Sequence, residues 1–326
     1  MATRGWLTLP PSKLLWNWKD SIDRKFMERF SNLGGGDKGT RGQGDKEMRR
    51  NSLIPNSSLL TPNSMNCSGC GSKVGGNVLE RVLRKVREEE TVVQGEDKDI
   101  IIGLDSTDDA AVVKVPTGKV MVQTIDYFTS LINDPYIFGQ ISVNHCLSDI
   151  FAMGAIPTSV LALATIPYGK SSTVEETLFQ LLSGAVKQLN QARVSLIGGH
   201  TIQGHNLAFG LSCNGLADED KLLRKGGMQC GDVLILTKGL GTGVLFAGEM
   251  RFQVKGSWID NAIKSMLLSN QAAAECFLEY EATACTDITG FGLIGHLSEM
   301  VNASQIGVEL RVDDIPVLDG AREVSA

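Results

Sequence analysis

The sequence is short of positive charge: 31 Lys and Arg stand against 37 Asp and Glu, a net charge of −6. Binding to a phosphate backbone needs a basic stripe, so a general nucleic-acid surface is excluded. An anionic substrate must then be held by metal ions or by a few local lysines. No apolar run approaches the roughly 20 residues that span a bilayer as a helix, so no transmembrane segment is expected. The start, Met1 to Pro10, lacks the continuous apolar core of a secretory signal, and Asp20, Asp23 and Glu28 weaken a transit-peptide reading. A cytoplasmic protein is expected, with organelle import left open.

A disulfide framework is missing as well. The seven cysteines, at positions 67, 70, 146, 213, 230, 276 and 285, are odd in number and widely spread, which points to a reducing compartment. Cys67 and Cys70 form a CxxC with no second copy, and His145, His200, His205 and His296 lie far from it in sequence. That argues against zinc and leaves a reversible dithiol open. The glycine-rich stretch Lys238 to Gly243 resembles a phosphate cradle but lacks P-loop spacing, and strand-to-helix packing explains it at least as well.

What is present describes a globular chain: 42% hydrophobic residues and 36 glycines in 326 positions, enough for two domains with cores of their own. Three of the four tryptophans fall in the first 18 positions, where Trp16, Trp18, Ile22, Phe26 and Phe30 predict an amphipathic helix, followed by a polar linker. Helical spacing continues over Val78 to Val86, Gln140 to Met153, Val174 to Ala192, Trp258 to Leu278 and Gly292 to Val301. Strands are predicted over Asp99 to Leu104, Ala110 to Val115, Lys119 to Ile125, Ser159 to Ile166, Val194 to Ile197, Ala208 to Leu216, Val233 to Leu236 and Val308 to Val312. The order is mixed α and β without the alternation of a simple doubly wound sheet, so an α+β class is expected.

The candidate chemistry is a series of aspartates, Asp105, Asp108, Asp109, Asp126, Asp149 and Asp287, at the ends of apolar segments or, for Asp149, among apolar neighbours on a helix. Any one of them is more often a helix cap or turn residue. Together they argue for a site, because two carboxylates at about 4 Å and an effective dielectric near 20 repel by about 4 kcal/mol. Magnesium relieves that cost, and nucleotide phosphates supply its remaining oxygens. Cys70 and Lys73, three residues apart in a glycine-containing loop, let a thiol and an ammonium face one small substrate, and the cation favours the thiolate. Gly198-Gly199-His200 is expected as a turn directly after a strand, where glycine lets backbone N–H groups approach phosphate. Asp126 is expected at a strand end.

Six ordered stretches carry a resemblance: Gly69-Cys70-Gly71-Ser72-Lys73, Asp108 to Val112, Thr124 to Phe128, Leu147 to Gly154, Gly198 to His200 and Thr286 to His296. From about Cys67 to Asp319 the chain closely resembles the selenophosphate synthetase (selenide, water dikinase) family, in the superfamily of aminoimidazole ribonucleotide synthetase. The resemblance implies ATP-dependent conversion of hydrogen selenide to selenophosphate, releasing AMP and phosphate. It implies Mg2+, ATP and a monovalent cation such as K+, with Cys70 and Lys73 catalytic. Asp109, Asp149 and Asp287 match metal ligands, while Lys73, Ser106, Thr107, Asp108, Asp126, Asp149, Gly198, Gly199 and His200 match nucleotide-contacting positions. Ser72 stands where many relatives carry a second cysteine.

The implied architecture is a two-domain α+β fold: an N-terminal helix and linker at 1–66, an ATP-binding and dimerisation domain at 67–225, and a C-terminal domain at 226–326 that stops before the family's last strands. A homodimer through the sheet is expected. The stretch Leu15 to Met27 looks like the junction in fused proteins that carry an NADH dehydrogenase-like module. Two alternatives remain. One is another ATP user of the superfamily, such as a thiamine-monophosphate kinase, against which Cys70 with Lys73 argues. The other is a catalytically impaired, truncated chain acting as a partner or regulatory subunit.

Overall fold

A computed structural model describes residues 6–9, 76–89, 100–102 and 112–325. The predicted helix over Trp16 to Phe30 and the candidates Cys67, Cys70, Lys73, Asp105, Ser106, Thr107, Asp108 and Asp109 lie outside the described residues.

The central helix, which we call α2, runs Pro135–Ala152 and starts as its sequence dictates. The Asp134 carboxylate accepts from the Ile137 N–H at 2.9 Å, and Pro135 occupies the first turn, where no amide donor is needed. It packs on α3 (Ser171–Ala192), which ends on Arg193 in the left-handed conformation. The two helices cross where Gly139 meets Gly184. A Cβ at Gly139 would collide with the Leu181 carbonyl, and one at Gly184 with that of Tyr136, so backbones touch there. An earlier helix, α1 (Gly76–Glu89), buries Val82 and Val86 against the same core, while Arg81 and Lys85 reach Glu175 at 2.8 and 3.1 Å.

Both central helices cover one face of a four-stranded sheet of β4 (Val120–Thr129), β5 (Ile156–Pro167), β6 (Ser195–Gly204) and β7 (Ala208–Ala217). The strand order is β4-β7-β5-β6, with only β5 and β6 parallel. Period-two alternation sends Val120, Val122 and Phe128 inward and leaves Met121, Ile125 and Tyr127 exposed on the outer face. The core between the layers holds Val143, Leu147, Ile150, Leu178, Leu181, Phe209 and Leu211.

The remainder comprises α4 (Thr242–Glu249), α5 (Gly256–Leu267), α6 (Gln271–Glu279), α7 (Gly292–Ser304), β8 (Val308–Arg311) and α8 (Ala321–Ser325). It has two smaller cores, one of Met228, Leu297, Met300, Val301 and Leu310, the other of Leu245, Phe246, Ile259, Ala262 and Ala321. β8 pairs antiparallel with β1 (Trp6–Leu9), a strand that sequence patterning did not predict. The two short strands β2 (Ile100–Ile102) and β3 (Val112–Val113) form a separate antiparallel pair. Among the described residues no helix is long and apolar enough to cross a membrane.

Four expectations need correction. Val233 to Leu236 is not a strand: among the described residues nothing pairs with it, and Val233 is 83% exposed. β-branched composition suits a pleat, but the ladder needs a partner to take its N–H and C=O groups. Trp258 to Leu278 is two helices rather than one, broken where Leu268 turns extended. Gly198 to His200 is not a turn but the middle of β6, just past a bulge where the register on β5 slips. Asp126 lies within β4, which continues to Thr129, not at its end.

Candidate active site

β4 and α2 build the first half of the site. The strand's alternation turns Thr124 and Asp126 toward the helix, and α2 presents His145 and Asp149 one turn apart. The Thr124 hydroxyl donates to the Asp149 carboxylate at 2.6 Å. His145 Nε2 stands 3.6 Å from the Asp126 carboxylate, and its ring packs edge-on against Phe128 with centroids 4.9 Å apart. Asp287 arrives from the loop ahead of α7, and that loop is tied at three points. Cys285 N–H donates to the Arg224 carbonyl at 2.9 Å, Gly292 N–H to the Thr289 carbonyl at 2.9 Å, and Thr289 N–H to His296 Nε2 at 3.2 Å. Accepting there leaves the imidazole proton on Nδ1, 3.6 Å from the Glu299 carboxylate. His296 is thus a buried loop anchor.

Two of the three carboxylates, Asp126 and Asp287, respond to acidic neighbours. Burial raises the Asp126 pKa above the ordinary aspartate range; His145 opposes the shift, while Asp149 and Asp287 add to it. Burial likewise raises Asp287, reinforced by Asp149 and opposed by His296, by the Ser148 hydroxyl and by His145. The thiols nearby are dormant. Burial pushes Cys213 up to about 12 and Cys285 up to about 11, and raises Cys146 strongly, so none of them offers a thiolate at neutral pH.

Carboxylates within electrostatic reach of one another suit a hard divalent cation. Among the described residues no three His, Cys, Asp or Glu side chains converge on a single metal position. The described acids therefore form an open, oxygen-rich group rather than a closed cage.

Comparison with known proteins places this geometry. Residues 107–217 match the model of the AIR synthase related protein N-terminal domain, and residues 229–324 that of the C-terminal domain. Selenide, water dikinase of Geobacter metallireducens is 36% identical over 259 residues, covering 79% of this chain and 74% of that protein. The protein of the same name from Nitratidesulfovibrio vulgaris strain DP4 is 38% identical over 271 residues, covering 79% and 72%. The chain belongs to the selenide, water dikinase family. Among solved structures, thiamine-monophosphate kinase from Stenotrophomonas maltophilia superposes with a TM-score of 0.58 at 20% identity, covering 76% of this chain and 77% of that one. Hydrogenase maturation protein HypE in complex with ATP gives 0.57 at 15%, covering 78% and 74%. At such identities these two neighbours establish the shared fold.

Within this family fold, Asp126, Asp149 and Asp287 come together although 161 positions separate the first from the last. Gly198, Gly199 and His200 do not join them. They lie on β6, the opposite edge of the sheet, with His200 exposed. Yet the ladders run Asp126 to Leu211, Leu211 to Ala162 and Ala162 to Gly199, so Asp126 and Gly199 share one row, about 14 Å apart by strand spacing. A side chain at Gly199 would collide with the Ala162 backbone. Sequence reasoning missed His145 and Ser148. The signal was the four-residue spacing of His145 and Asp149, which puts a base beside an acid on one helix face.

Proposed function

We propose that this chain is a selenide, water dikinase that makes selenophosphate from hydrogen selenide and ATP, releasing AMP and phosphate. The observation that carries the reading is that Asp126, Asp149 and Asp287, from a strand, a helix and a loop, lie within electrostatic reach of their acidic neighbours in a chain of this family. Magnesium, when bound, neutralises phosphate charge and aligns the groups that transfer. Asp149 and Asp287, with Asp109, are its proposed ligands, and Thr124 holds Asp149 in place for that role. Ser106, Thr107, Asp108, Asp126 and the Gly198 to His200 row are assigned to the nucleotide. Lys73 stabilises negative charge on the phosphoryl in flight, and Cys70 holds selenium.

The same reading divides the chain at 1–66, 67–225 and 226–326. It also assigns the outer sheet face, where Ile125 is 65% and Ile156 71% exposed beside Met121, Tyr127 and Leu161, to a homodimer.

The test is anaerobic incubation with magnesium and ATP, with and without selenide, followed by phosphorus NMR. Selenide-dependent AMP and a selenophosphate resonance are expected, both lost in Cys70→Ser and Lys73→Ala. ADP formed independently of selenide would replace this reading with that of another kinase of the same fold.

A further inference from the structure

Asp126 and Asp149 belong to the sheet-and-helix layer, whereas Asp287 belongs to the second half of the chain. Something must hold the halves in register. Beside the reactive stripe of His145 and Asp149, α2 carries a second stripe one residue earlier, Asn144 and Ser148, and both are buried. Gln188 of α3, also buried, donates through Nε2 to Asn144 Oδ1 at 2.8 Å. That bond fixes the amide so that its NH2 faces the C-terminus of α5. There Nδ2 donates to the Met266 carbonyl at 3.1 Å and to the Leu267 carbonyl at 2.8 Å. These are last-turn carbonyls, which have no partner within their own helix. Lys238 supplies a cation to the next one, Leu268, where the helix dipole favours positive charge.

One turn along α2, the Ser148 hydroxyl accepts from Asn270 Nδ2 at 2.9 Å. Asn270 is the capping position of α6. The break between α5 and α6 is therefore pinned to α2 on both sides. An amide nitrogen only donates, so the single Ser148 proton is left to point elsewhere. The Ser148 hydroxyl is also a neighbour that favours ionised Asp287.

We propose that Asn144 and Ser148 are positioning residues: they fasten the α5–α6 break to α2 and thereby set Asp287 opposite Asp149. The proposal rests on the assigned dikinase site only for its nucleotide readout.

The experiment uses the full chain with Asn144→Leu, Ser148→Ala and Ser148→Thr, the last of which keeps the hydroxyl. Amide hydrogen exchange is followed at 266–271 and 283–291, and ATP binding is titrated with and without magnesium. Faster exchange in both segments is expected for Asn144→Leu and Ser148→Ala, with β4 and β7 unchanged. The affinity gained from magnesium should fall about tenfold, or about 1.4 kcal/mol, with magnesium-free affinity preserved and Ser148→Thr near wild type. Unchanged exchange at 283–291, or equal losses with and without magnesium alongside a lower Tm, would overturn the proposal. Should Asn144→Leu not fold, the smaller Ser148→Ala deletion decides. If wild type binds no magnesium-ATP, the dikinase assignment fails, and exchange alone still judges the fastening role.

Discussion

Asp287 shows how a single side chain can work against the fold that holds it. Its pKa is raised, first by burial and then by Asp149, so folding favours its protonated form relative to the unfolded chain. A carboxyl raised on folding contributes its stability at low pH and loses it as pH rises through the raised value. Without magnesium, Asp287→Asn should therefore melt higher than wild type near neutral pH, with the gap shrinking toward acid. Added magnesium should reverse the order if Asp287 is the proposed ligand, because only the wild type offers an anionic carboxylate there. Scanning calorimetry across pH, with and without the metal, reads both effects, and a pH-independent difference would refute the assigned cause. The residue scale is also where the sequence was most legible. Asp126, Asp149 and Asp287 were picked out as members of an acidic series and by the family resemblance, whereas His145 was passed over because its partner, Asp126, is reached through space.

Helices α2 and α3 depend on a contact between backbones. Gly184→Ala puts a methyl group into the Tyr136 carbonyl, where neither helix can yield without moving the other. Overpacking of this kind typically costs about 1–3 kcal/mol. A matched control exists in α4, where a methyl group at Gly243 would meet open space. Gly243→Ala should be neutral or stabilising by up to about 1 kcal/mol, since alanine is the better helix former. Urea midpoints of the two variants compare them directly, and equal midpoints would mean that the crossing is looser than described. At this scale, α2 and α3 were readable from the helical spacing of their apolar residues, although α2 is buried on nearly every side. Val233 to Leu236 and Gly198 to His200 were misread, since whether a segment joins a ladder depends on neighbours that are remote in sequence.

At the scale of the molecule, the outer sheet face is the open question that chemistry can answer. Ile125 sits among exposed apolar side chains of β4 and β5 on the side away from α2 and α3. An arginine placed there is tolerated by a monomer and is costly in an apolar interface. Ile125→Arg should therefore leave Tm in dilute solution and helical content nearly unchanged while shifting sedimentation from dimer to monomer. A wild-type chain that sediments as a monomer, or a variant that stays dimeric, would remove this face from the assembly.

The sequence by itself determined the class and the family: a mixed order of helices and strands, and six motifs in sequence. Those are local or patterned properties, carried by residues a few positions apart. Tertiary structure alone decided which acids meet, that Gly199 shares a ladder row with Asp126, and that Asn144 closes the end of a helix 122 positions away. Such pairings follow from sheet order and helix packing, and no period in the chain encodes them.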